Sequence, residues 1–139
     1  MKVFVYGTLK PGECNYPLYC QNQVIQSRKV YTYGQLYHLN QVGYPGMTEG
    51  DQKVYGYVLT FANETPLQIL DKLETYAPQS SPQDNEYDRR LIPIYDLESG
   101  HFLEQVWGYV MRPEKVQELE GIALPSGWWT NPGREPMFV

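Results

Sequence analysis

The sequence predicts a single α+β domain in which strands outnumber helices and the sheet curls toward a barrel. Three observations carry this expectation. Runs of β-branched and aromatic residues recur along the chain, a 3.6-residue apolar period appears in one clear stretch, and 13 tyrosines among 139 residues supply rings that pack while still hydrogen-bonding at a pocket wall. This length suits one core that needs neither metal nor disulfide. No repeat, low-complexity tract or interdomain linker divides residues 1–139, and residues 121–139 read as an irregular tail.

The elements follow in order. Residues 2–6 (KVFVY) have almost no polar alternation, as in a strand buried on both faces, and GTLKPG ends that strand abruptly. Residues 17–25 are ambiguous, with at most one helical turn. Residues 30–39 alternate as a long strand in which Gly34 marks a bulge or bend. NQVGYPGMTEGDQ, with Gly43, Pro45, Gly46 and Gly50, reads as a loop before a strand over 53–61. At 66–76 the period becomes helical, with Thr65 as N-cap, Pro66 at the first helical position and Gln68 completing a capping box. APQSSPQDNE is then an exposed loop. Residues 87–111 read as a hairpin turning at LESG, with Pro93 at an edge or bulge, and Pro113 starts a short helix to about Glu120.

Composition excludes several functions. A net charge of −5 without any basic run argues against a nucleic-acid surface and favours a small partner. The start of the chain has no basic n-region or long apolar h-region, and no stretch approaches the ~20 residues of a membrane helix. The expectation is a soluble, cytoplasmic protein. Cys14 and Cys20 fit neither a redox motif nor a disulfide framework, and His38 and His101 stand apart from them, so no metal is expected. The sequence sets no oligomeric state.

One residue breaks its local pattern. On the helical wheel Leu67, Ile69, Leu70, Leu73 and Ala77 share an arc, Gln68, Asp71, Lys72 and Thr75 take the solvent side, and Glu74 falls inside the apolar arc. A carboxylate turned inward loses hydration, which lifts its pKa toward neutrality and suits it to accept and donate a proton. The alternative is a structural ion pair with Arg89 or Arg90. In EYDRR, strand alternation puts Tyr87 and Arg89 on one face and Asp88 and Arg90 on the other, to hold a substrate carboxylate or to close a sheet edge by a cross-strand pair.

Three stretches together, VYGTLKPG, LDKLETY and YDRRLI, resemble the gamma-glutamylcyclotransferase-like family. GYPGM resembles its pocket proline loop, and PSGWW a Ser-Gly-x-Trp near the end of many members. The ordered set spans nearly the whole chain. The resemblance implies a small mixed β-barrel with flanking helices and a cofactor-free reaction on a γ-glutamyl compound. In that reaction the substrate's own α-amine attacks its γ-carbonyl, forming 5-oxoproline and releasing an amine. It assigns Glu74 as general acid/base, with Tyr6, Gly7, Thr8, Leu9, Pro45, Tyr87 and Arg89 binding substrate and no metal. The loop amides would hold the α-carboxylate or the carbonyl oxygen. The family often has Gly after its Glu, where Thr75 stands here, and the Pro/Ser-rich loop that follows leaves the released amine open. A non-catalytic module binding a small metabolite or peptide tail, or another carboxylate-dependent enzyme, are the competing readings.

Overall fold

The computed structural model describes residues 1–74 and 85–131. Among them are six strands, β1 (Lys2–Val5), β2 (Val24–Leu39), β3 (Tyr44–Phe61), β4 (Asp88–Asp96), β5 (Phe102–Val110) and β6 (Gly121–Ala123). The helices are α1 (Tyr16–Tyr19), α2 (Thr65–Leu73) and α3 (Pro113–Glu118). The sheet runs β3-β1-β5-β4-β2, and β2 pairs back onto β3, which closes a five-stranded barrel. The β1–β5 pairing is parallel and the other barrel pairings are antiparallel, so the barrel is mixed. No described helix is long and apolar enough to cross a membrane.

β1 is buried on both faces, as its unbroken apolar run requires. Phe4 joins Val30, Val54, Val58, Ile92 and Val106 in a cluster built from strand residues together with Trp129. Val3 and Val5 face the other way, into a cluster containing Leu67 and Leu70 of α2 and Val116 of α3. Each fully buried Val, Leu or Phe contributes about 1.5–3 kcal/mol, so this central strand ties both clusters together. It also aims its C-terminal loop at the seam between barrel and α2.

Several local expectations are corrected. The segment expected as a loop over 40–52 is largely strand: a tight turn ends at Gly43 and β3 begins at Tyr44. The long β2–β3 ladder overrides the local turn chemistry of Pro45, Gly46 and Gly50. Gly34 does mark a bulge. Its partner is Gln52 whereas Gln35 pairs with Thr48, and Gln52 Oε1 accepts from Leu36 N at 3.0 Å, replacing a lost ladder bond. Pro93 sits beside the Ile94/Tyr95 register shift and outside the short β2–β4 ladder, where its missing N–H costs nothing.

Thr65 is not the N-cap of α2: Glu64 holds that position without a side-chain cap bond, Thr65 is already helical, and Asn63 Oδ1 accepts from Thr65 N at 2.9 Å. The wheel also misplaced two residues. Ile69 is exposed and Asp71 is 8% exposed, because the buried arc is centred near Glu74 and extends past Leu67 to Asp71. The expected helix end at 75–76 and residues 77–84 of the loop expected over 77–86 lie outside the described residues, as do residues 132–139; of the rest of that loop, Asn85 is buried rather than exposed. The tail was expected to be irregular, yet β6 pairs with the end of β2 and Trp129 is fully buried. Three residues are too few for periodicity to reveal a strand.

Close packing at the seam yields a prediction. A Cβ at Gly56 would stand 2.2 Å from Val5 O, a backbone atom that cannot rotate away. Gly56→Ala is expected to cost about 2–3 kcal/mol, seen as a Tm loss of roughly 5–10 °C. An unchanged Tm would show that β1 and β3 separate more readily than their pairing indicates.

Candidate active site

The loop after β1, the first residue of α2's C-terminal boundary and the residues entering β4 enclose a cavity of about 220 Å³. Ligand sites for drug-sized molecules span ~300–1,000 Å³, so this one suits an amino-acid-sized group. Of the residues singled out in the sequence, Tyr6, Gly7, Thr8, Leu9, Pro45, Glu74 and Tyr87 line it.

Glu74 is the C-cap of α2, its backbone N–H closing onto Leu70 O at 2.9 Å. Its carboxyl group has no hydrogen-bond or ion-pair partner among the described residues. Burial pushes its pKa up to about 8, and the nearby charge of Glu86 pushes the same way. The negative end of the α2 dipole also opposes a carboxylate at this position. The ion-pair alternative is therefore unmet: Arg89 contacts Asp71 Oδ2 at 2.7 Å, and Arg90 reaches Glu49 at 3.0 Å and Asp88 at 3.8 Å.

The loop opposite spends its carbonyls, rather than its amides, on holding its own shape. Gly7 O accepts from Lys10 N at 3.0 Å, Thr8 O from Asn15 N at 2.9 Å, and Thr8 Oγ1 from Asn15 Nδ2 at 3.0 Å. The N–H groups of Gly7, Thr8 and Leu9 donate to no acceptor among the described residues. Successive amides left over in a tight turn form a concave site for an anion or a polarised carbonyl. Gly7 has no room for a side chain, since a Cβ would lie 2.6 Å from Pro45 Cγ.

The tyrosines act as fixed walls. Tyr6 Oη donates to Tyr109 O at 2.8 Å and accepts from Met47 N at 3.2 Å, and Tyr87 Oη donates to Pro45 O at 2.5 Å. Burial raises both phenols well above their ordinary pKa, which keeps them neutral. Arg89 does not line the cavity. Its guanidinium lies 4.7 Å from the Trp107 ring centroid and pairs with Asp71, whose other oxygen accepts from Tyr109 Oη at 2.7 Å. Asp71, expected in solvent, is thus the hub of a buried network one turn before Glu74. Burial and the Asp71 bond raise the Tyr109 pKa strongly.

A sequence model of the gamma-glutamyl cyclotransferase, AIG2-like family matches residues 3–131. The chain belongs to that family. A gamma-L-glutamyl-butirosin B gamma-glutamyl cyclotransferase from Niallia circulans is 39% identical over 116 residues, covering 84% of this chain and 70% of that one. A Vibrio cholerae protein with a provisional gamma-glutamylcyclotransferase name is 40% identical over 72 residues. That match covers 52% of this chain and 60% of the relative, less than two thirds of its length. The crystal structure of an AIG2-like protein from Mus musculus shares the fold, with a TM-score of 0.61 at 23% identity, covering 83% of this chain and 81% of that chain.

Within this gamma-glutamyl cyclotransferase fold the cavity has further lining residues that sequence reasoning missed, among them Asn15, Tyr44, Glu86 and Tyr109. Glu86 and Tyr87 both reach it, because they precede β4 and escape strand alternation. Their adjacency in EYDRR was a visible signal; the cross-strand pairing of Arg89 with Tyr109 was not.

The tail supports the loop from behind. Lys10 is fully buried, its Nζ donating to Trp129 O and lying 3.8 Å from the Trp128 ring centroid. Trp129 Nε1 donates to His38 Nδ1 at 3.0 Å. Lys10→Met leaves the Trp129 carbonyl without this donor, and is expected to cost about 1–3 kcal/mol. Thermal melts and tryptophan emission should both shift; a variant as stable as the wild type would mean that the tail docks without Lys10.

Proposed function

We propose that this protein is a cyclotransferase that converts a γ-glutamyl amine to 5-oxoproline and the free amine, with Glu74 carrying the proton. The observation behind this reading is that the Glu74 carboxyl and the amides of Gly7, Thr8 and Leu9, none with a hydrogen-bond partner among the described residues, line the same cavity. As carboxylate, Glu74 takes a proton from the substrate's α-ammonium. The freed amine attacks the γ-carbonyl carbon, forming the ring C–N bond and moving the carbonyl electron pair onto oxygen. Collapse of this intermediate breaks the bond to the leaving nitrogen, which collects the proton from Glu74; the ring nitrogen gives up its second proton to the departing amine, which leaves as an ammonium. Nothing is oxidised or reduced, and the carboxylate is regenerated.

The loop amides serve the substrate's α-carboxylate or the developing oxyanion, a role Arg89 is not placed to fill. Tyr6 and Tyr87 shape the walls beside Pro45. The test is to incubate purified protein with a series of γ-glutamyl amides and to measure 5-oxoproline and freed amine, beside Glu74→Gln. Release by the wild type alone supports the reading. No release from any amide would favour a binding module, and equal release by both proteins would place the proton carrier elsewhere.

A further inference from the structure

A γ-glutamyl group brings one ammonium and one carboxylate; in the reading above Glu74 meets the ammonium, and the loop amides are the groups available to the carboxylate or the oxyanion. Glu86 is left over. It lines the same cavity, half-buried, and Tyr44 Oη donates to its Oε1, which orients the carboxylate. No Lys, Arg or His is among the described residues lining this space. Cations nearby in sequence are directed elsewhere: Lys10 against Trp128, Arg89 onto Asp71 and Arg90 onto Glu49. Glu86 itself has no ion-pair partner among the described residues.

Two carboxylates in one small cavity repel each other, and Glu86 is one cause of the raised pKa of Glu74. In the reading above the substrate's α-ammonium engages Glu74, so it does not answer Glu86. Among the other lining residues are five aromatic rings, Phe4, Tyr6, Tyr44, Tyr87 and Tyr109, whose faces also attract a cation. We infer that Glu86, held by Tyr44, is a specificity residue that reads a positive charge on the released amine, so that preferred substrates are γ-glutamyl amides of amines bearing a second cationic group. This inference rests on the cyclotransferase reading of the same cavity.

Three γ-glutamyl amides of matched length test it, with amine arms ending in an ammonium, a methyl group or a carboxylate. Wild-type kcat/KM is expected to favour the ammonium arm over the methyl arm by about tenfold, the factor for one charge-assisted contact of ~1.4 kcal/mol, with the carboxylate arm slowest. In Glu86→Gln, which keeps the side chain's size and an acceptor for Tyr44, the ammonium-to-methyl ratio should fall to near one. A wild-type ratio near one, or a preference that survives in Glu86→Gln, overturns the inference. So does a proportional loss on all three amides with a shifted pH profile, because Glu86 would then act through Glu74. If the wild type yields 5-oxoproline from none of them, the cyclotransferase reading itself falls; equal yields from all three sink the role of Glu86 alone.

Discussion

Glu74→Gln is expected to lower turnover by about 10²–10⁴-fold, the range that positioned acid–base catalysis supplies, while the protein stays folded. The amide fills the same volume in the cavity but cannot take a proton from an ammonium. The wild-type pH profile should carry the same signature. Catalysis starts from the carboxylate, so kcat/KM should rise with pH and level off above about 8, the value to which burial and then Glu86 raise the Glu74 pKa. A bound α-ammonium favours the charged carboxylate, so the limb in kcat should lie at lower pH than the limb in kcat/KM.

Stability supplies an independent reading of the same group. The folded-state pKa lies above the unfolded value of ~4.3, so the native protein binds the extra proton between these two values. Its stabilising effect is full below pH ~4.3 and is lost as pH rises through about 8. Glutamine does not titrate. The Tm difference, variant minus wild type, should therefore grow from pH 5 to pH 8 and then flatten. A difference independent of pH would show that Glu74 is solvated like any surface carboxylate.

Asp71→Ala should produce the largest loss of stability, about 3–5 kcal/mol, because it takes the shared carboxylate away from a mostly buried guanidinium and a buried phenol together. Arg89 Nη1 and Tyr109 Oη each lie 2.7 Å from an Asp71 oxygen, and the Arg89 and Asp71 side chains are 18% and 12% exposed. Denaturant melts of Asp71→Ala, Arg89→Met and the double variant would measure the coupling: the double variant should lose clearly less than the two singles summed. Additive losses would mean that the pair holds nothing together. Activity should fall as well, since Asp71 anchors α2 one turn before Glu74.

Asp71 and Glu74 show how far local reading reaches. The wheel placed Glu74 inward correctly because its neighbours Leu67 and Leu70 are strongly apolar and point to the buried side. It placed Asp71 outward because a charged residue at the arc's edge is solvated unless something distant pays for its burial. That something is Arg89 and Tyr109, carried by two strands whose pairing no local period reveals. Ile69 failed in the opposite sense: an apolar residue on the far side of a helix tolerates solvent.

Local sequence determined much about this protein. It specified a first strand buried on both faces, a glycine-rich stop after it, an amphipathic helix carrying one misplaced carboxylate, and the β4–β5 hairpin. Each follows from steric and hydrophobic rules acting over a few residues. Tertiary structure alone decided that β2 and β3 close the barrel through the stretch that reads as loop, that the tail docks Trp128 and Trp129 onto Lys10, that Arg89 turns to Asp71, and that Glu86 faces Glu74's cavity. The physical reason is that a residue's period says which way it points relative to its neighbours, whereas what it meets there depends on the register of strands distant in sequence.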